Sequence, residues 1–294
     1  MAKIAVLGAS GHYGTSAVHA LLGRGVRPDD IIAVYRSKPG TLGETNVALR
    51  RGGDYSGETF GPAVLKGAEK LLFISGGGMD NLQRIADHLA VVRAAREAGI
   101  SHIVYTSMAY PDRASNLFGL ETVHLATEAM IRAAGIPYTF LRNTFYADYF
   151  LSPAALRRAV DTGKLMSLAR GAGVNFVLRE NMAEAAAAVL TTQGHGNKTY
   201  TITAPHAYTY RDIAKMLTEV SGKQVGYIET TPEKYRAYLS GLGVSKEAQA
   251  ADTTFSQPAF TNGWASGVSG AMVDLIGGDR YVPPGEIVRR ALQA

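Results

Sequence analysis

The sequence predicts an α/β fold on a doubly wound parallel sheet, and three observations carry that prediction. Short apolar runs of strand length alternate with helical patterns from the first residues to about position 142, the order expected of a parallel sheet covered on both faces. The first run stops at a glycine, and Gly8, Gly11 and Gly14 repeat at the spacing G-x-x-G-x-x-G. Composition is that of a globular chain long enough to bury a large core, with 294 residues, 46% of them hydrophobic and 19% charged.

Residues 3–7, Lys-Ile-Ala-Val-Leu, read as a buried strand, and a helical pattern follows through Leu22. In the turn between them Gly8 lets the chain leave the strand sharply. Gly11 removes a Cβ where a pyrophosphate must approach, and Gly14 lets the helix pack closely. With Ser10, His12 and Tyr13 between the glycines, the turn is expected to hold the phosphates of a dinucleotide at a helix N-terminus. An ordinary glycine-rich βα turn is the plain alternative.

Residues 30–34 read as a second strand, followed by Tyr35-Arg36-Ser37-Lys38. A carboxylate at this strand end would accept from the ribose 2′-hydroxyl of NAD. Arg36 and Lys38 instead suit a 2′-phosphate, so NADP(H) is the expected cofactor, against the alternative of a solvated basic loop. Residues 46–50 form a third strand, and Asp54 in the following Gly-rich turn either accepts from the adenine amino group or serves the turn itself. Residues 70–75 form a fourth, ending in Ser75-Gly76-Gly77-Gly78, where a ribose or phosphate can lie on bare backbone.

A helix over 80–98 leads to a fifth strand at 101–107, whose end places Thr106 and Ser107 where ligands of open parallel sheets sit, although hydroxyls there also cap loops. Helix 121–134 and strand 138–142 complete the alternation. Further on, a helix at 153–162, a strand at 175–178, a helix at 181–190, a strand at 199–202, a helix at 211–220 and a strand at 224–229 are expected. The expected organisation is a dinucleotide-binding domain over 1–150, with segments near 175–205 returning to it, and a smaller mixed α/β lobe for the substrate over 151–294.

The formal charge is +5 and there is no cysteine, so thiol, disulfide and iron–sulfur chemistry are excluded. The basic residues are scattered, which argues against nucleic acid. No apolar run reaches the ~20 residues of a membrane span, no signal-peptide pattern is present, and no histidine pair has metal-ligand spacing. A cytoplasmic, metal-free monomer or homodimer is expected.

Together, Gly8-Ala9-Ser10-Gly11-His12-Tyr13-Gly14, Val34-Tyr35-Arg36, Tyr105-Thr106-Ser107, His124-Leu125-Ala126-Thr127-Glu128 and Gly135-Ile136-Pro137 running on to Asn143 resemble the NmrA-like atypical short-chain dehydrogenases, most of all their bacterial NADPH:quinone reductase branch. The resemblance implies a Rossmann-type fold with Ser75, Gly76 and Gly77 at the middle of the dinucleotide. Asn143-Thr144-Phe145-Tyr146 would be the loop beside the nicotinamide, with Phe145 where the family often has tryptophan. None of the fifteen tyrosines has a lysine four residues later, so the Tyr-x-x-x-Lys acid–base pair of ordinary short-chain dehydrogenases is absent. More distant similarity to plant isoflavone-type reductases puts His124 at the place of their working lysine, either as a nicotinamide-ribose ligand or proton donor or as a packed helix histidine. His124, Tyr146 and Asn143 are therefore the candidates for holding quinone oxygens or the nicotinamide carboxamide. The expected activity is NADPH-dependent reduction of quinones or similar carbonyls. The alternatives are a non-catalytic NADP(H) sensor and, more remotely, an epimerase or dehydratase of nucleotide sugars.

Overall fold

A computed structural model of the chain describes residues 2–56, 60–78, 80–109, 120–251, 253, 257–261 and 263–293. It forms two compact units. The first takes in the described residues of Met1–Pro111, Gly119–Asn143 and Arg179–Ile202, the second those of Thr144–Leu178 and Thr203–Ala294.

The first unit begins with β1 (Ile4–Val6), α1 (His12–Gly23), β2 (Ile31–Tyr35) and β3 (Ala48–Arg51). It continues with β4 (Lys70–Phe73), α2 (Asn81–Glu97), β5 (His102–Met108), α3 (Leu120–Ala133) and β6 (Tyr138–Asn143). The chain then enters the second unit with β7 (Phe145–Tyr146), α4 (Ala147–Phe150), α5 (Pro153–Thr162), β8 (Lys164–Ser167) and β9 (Phe176–Val177). It returns to the first with α6 (Arg179–Thr191) and β10 (Lys198–Ile202), and ends in the second with α7 (Tyr210–Ser221), β11 (Gly226–Glu229), α8 (Pro232–Gly241) and further short helices up to Pro284–Gln293.

All seven strands of the first unit are parallel, in the order β10-β6-β5-β4-β1-β2-β3. The chain winds outward from β1 to β3, then crosses back to β4 and winds the other way, so the direction switches between β1 and β4. In such sheets ligands bind outside the carboxyl ends of the strands at that switch. Period-two alternation sends Ala5, Leu7, Ile32, Val34, Leu71, Phe73, Ile103 and Tyr105 into one core with Val91, Val92 and Ala95 of α2 and Ile131 of α3. The intervening residues Ile4, Val6, Ile31, Ala33, Leu72 and Val104 are equally buried, as both faces of a doubly wound sheet must be. On α1, Tyr13 donates its hydroxyl to Met182 O of α6 at 2.9 Å, and Arg24 pairs with Glu184 at 3.3 Å.

The second unit holds two short parallel pairs, β7 with β9 and β8 with β11. Its aromatic core joins Phe145 to Phe150, Phe260 and Trp264 with ring centroids 5.5, 4.9 and 5.2 Å apart. The two units divide between Asn143 and Thr144, where the chain leaves the seven-stranded sheet and β7 pairs with β9. Strands β7 and β8 were not expected from the sequence: two- and four-residue strands give too short a pattern for periodicity to register. Among the described residues no helix is long and apolar enough to cross a membrane, and no group of three or more His, Cys, Asp or Glu could hold a metal ion.

Candidate functional site

The glycine turn follows β1, at the switch. Gly8 has φ +62°, a left-handed conformation, and its carbonyl accepts from Gly11 N at 3.0 Å. A Cβ on Gly14 would lie 2.2 Å from Gly8 O and 2.6 Å from Ala9 Cα, so no side chain fits there. Helices α2 and α7 are closed at their N-termini by side chains: Asp80 accepts from Gln83 N at 3.0 Å, and Thr209 and Asp212 form a capping box. Helix α1 starts at Gly11 with no side-chain cap, and Ser10, Gly11 and His12 are exposed. The turn thus presents main chain to an anion, whereas the side chain of Tyr13 is buried and committed to Met182.

Arg36 and Lys38 are exposed just past the end of β2. The register pairs Tyr35 with Arg51 of β3, and Arg51 Nε reaches Arg36 O at 3.4 Å. Arg51 is therefore a third cation in this corner. It was in plain view in the sequence, but only the strand register brings it beside Arg36. Asp54 is exposed and accepts from Ser56 N at 3.3 Å, the turn chemistry of its residue type.

Past β4 the environment closes. Gly76 N donates to His88 Nε2 at 3.0 Å, so the ring proton is on Nδ1 and goes to Thr127 Oγ1 at 2.8 Å, which donates in turn to Val123 O at 2.7 Å. His88 thereby fastens the loop 75–78 to α3. Burial, helped by the Arg84 charge, pulls its pKa down to about 3. Thr106 Oγ1 accepts from Ser75 N at 2.9 Å, and Ser107 donates to Glu128 at 2.7 Å. Glu128 is fully buried and also takes Arg142 in two bonds of 2.9 Å. The hydroxyls of Thr106 and Ser107 are thus occupied in shaping the strand ends, and a ligand there would meet them only in company with those partners.

His124 is buried on α3 with Nδ1 2.9 Å from the hydroxyl of Tyr105. Burial first, then the charges of Arg84 and His88, lowers its pKa to about 3, and burial raises that of Tyr105. The shift of His124 favours the neutral ring at pH 7, a form that can orient, accept or donate a hydrogen bond.

Asn143 closes β6. It is 5% exposed, and neither Nδ2 nor Oδ1 of its side chain has a partner. A buried amide left unpaired on both atoms is costly and uncommon, and a ligand carrying both a donor and an acceptor would satisfy it. In the second unit, Thr144 donates to Asn175 O at 3.0 Å, and Tyr146 is half-buried in β7. Phe145 is 7% exposed and packs edge-to-face with Phe150, Phe260 and Trp264. The same unit has a cavity of about 90 Å³ lined by Tyr149, Phe150, Met166, Tyr235, Tyr238 and Leu242.

The model of the NmrA-like family matches residues 1–260. Quinone oxidoreductase 2 of Escherichia coli is 35% identical over 246 residues, 82% of each chain. The solved structure of Citrobacter sp. triphenylmethane reductase complexed with NADP(H) superposes with a TM-score of 0.90 at 39% identity, covering 98% of this chain and 100% of that one. The NADPH-dependent quinone oxidoreductase of Escherichia coli complexed with NADPH gives 0.85 at 31% identity, over 98% and 99%.

Proposed function

Because the chain belongs to the NmrA-like family, we propose that it is an oxidoreductase that binds NADPH and passes a hydride to a quinone or a similarly electrophilic carbonyl compound. Strand order supports one direction for a bound dinucleotide. Its adenosine 2′-phosphate falls to Arg36, Lys38 and Arg51 at the ends of β2 and β3, and its diphosphate to the uncapped turn at residues 8–14. The nicotinamide half would then be held at the ends of β4, β5 and β6, where the unpaired amide of Asn143 would match a carboxamide, donor to acceptor and acceptor to donor. Bound NADPH supplies the hydride. Ser75, Gly76 and His88 hold the loop against which it rests, and Tyr105 orients His124.

One observation carries the acceptor class. The titratable pair at the buried end keeps its protons across neutrality, His124 neutral down to about pH 3 and Tyr105 protonated well above its ordinary range. Neither is an acid of pKa near 7, which reduction of an unactivated ketone calls for. A quinone takes the hydride without one. The hydroquinone anion that results needs hydrogen bonds and a proton from water, so orientation is the main task of the protein. Relatives named as a quinone oxidoreductase and a triphenylmethane reductase are in keeping with such acceptors.

The test is the loss of NADPH absorbance with a panel of small quinones, with NADH as control. Quinone-dependent oxidation, faster with NADPH, is the expected result. Tight NADPH binding without turnover on any acceptor would overturn the reductase reading.

A further inference from the structure

Helix α2 carries a buried cation to which the reading above gives no task. Arg84 is 9% exposed; its Nη2 donates to Ser75 Oγ at 3.2 Å, and its Nε is buried without a partner. Its stem runs beneath the loop 75–78, since a Cβ on Gly78 would meet Arg84 Cγ and Cδ at 3.6 and 3.7 Å. Among the described residues no carboxylate pairs with it. Arg142, on β6 of the same unit, shows what this fold does with a structural arginine: its Nε and Nη2 are matched by the buried carboxylate of Glu128. A buried charge left uncompensated is expensive. Burial duly depresses the pKa of Arg84, and a protein that retains such a group gains from it only when something else arrives.

We infer that Arg84 is an oxyanion-binding residue of the ligand site in the first unit, its guanidinium steadied by Ser75 and completed by an anionic oxygen that the ligand brings to the loop 75–78. The inference rests on the dinucleotide reading. Two sources supply such an oxygen: the diphosphate of the cofactor, and the oxygen that becomes negative on the acceptor when the hydride reaches it.

Arg84→Met and Arg84→Lys in the full-length protein separate these. Without ligand the Met variant should melt no lower than the wild type, because an unpaired buried charge has been replaced by an apolar chain of similar length. It should nonetheless lose roughly tenfold or more, the worth of a charge-assisted hydrogen bond, in one of two readouts. Equal weakening of NADPH and NADP+ assigns the diphosphate. Unchanged affinities with a slower single-turnover oxidation of NADPH assign the acceptor anion. The Lys variant should recover part of either loss. Unchanged affinity and turnover in the Met variant would overturn the inference, as would a lower melting temperature accompanied by losses that lysine does not relieve. If the wild type binds neither NADPH nor NADP+, the dinucleotide reading fails on its own. Arg84 is then judged with inorganic pyrophosphate: stabilisation of the wild type but not of the Met variant supports the anion site, and no stabilisation of either rejects it.

Discussion

The two ends of the strand-end site in the first unit are built on opposite principles. On the side of β1, β2 and β3 the groups proposed to meet a ligand are exposed: the turn at Ser10, Gly11 and His12, and Arg36, Lys38 and Arg51 around one corner. On the side of β4, β5 and β6 they are buried and interlocked, with Gly76 tied to His88, His88 to Thr127, Ser75 to Thr106 and Arg84, and Tyr105 to His124. The first arrangement gives affinity for anions in water, where charge and access decide. The second fixes positions and charge states out of water, where orientation decides.

The largest effect expected at the open end comes from its one steric necessity. Gly14→Ala places a methyl group 2.2 Å from Gly8 O, so the turn must open and α1 must move off the strand. NADPH binding, followed by cofactor fluorescence, should fall below detection. An alanine variant that bound normally would mean that the turn is not the phosphate cradle.

Arg36→Ala should act less drastically and selectively. Loss of a charge-assisted contact to the 2′-phosphate is expected to weaken NADPH by about 2 kcal/mol and leave NADH almost unchanged. Arg51→Ala should give the same selectivity at smaller size, because Arg51 reaches Arg36 O and keeps a second cation beside it. Equal weakening of NADPH and NADH in both variants would remove the 2′-phosphate from this corner.

The same contrast decides what could be read without coordinates. The alternation of strands and helices, the glycine spacing and the position of Arg36 are local features of sequence, and the sheet and open end follow from them. Arg51 needed the register of β2 on β3. His88 and Arg84 needed more: they sit on a helix with little amphipathic regularity, and nothing in Asp87-His88-Leu89 distinguishes a buried histidine from a solvated one. Their roles arise from contacts with the loop 75–78 and with α3, across as many as 39 residues of chain. The surroundings of Phe145 were hidden for the same reason: its contacts with Phe260 and Trp264 join residues more than a hundred positions apart in the chain. Asn143 was legible as a candidate, but only the structure reveals that its amide is unpaired.

The smallest expected effect, and the one that separates the ends most directly, is on stability against pH. His88 and His124 have pKa values lowered to about 3 in the folded chain, and His102, at the start of β5, to about 4, burial being the main cause in each. In the unfolded chain these rings titrate near 6.5. Between those values the unfolded state binds more protons, so stability rises with pH through that window and is lost as pH falls from about 6.5 towards 3 to 4. The melting temperature should therefore decline as the buffer is taken from pH 7 to pH 4.5. His88→Gln should make that decline shallower: its amide can accept from Gly76 N and donate to Thr127 while carrying no proton to gain. Arg36→Ala, at the exposed end, should leave the slope as it is. A slope unaltered by His88→Gln would show that the buried ring contributes nothing to acid sensitivity, and the difference between the two ends would then be one of access alone.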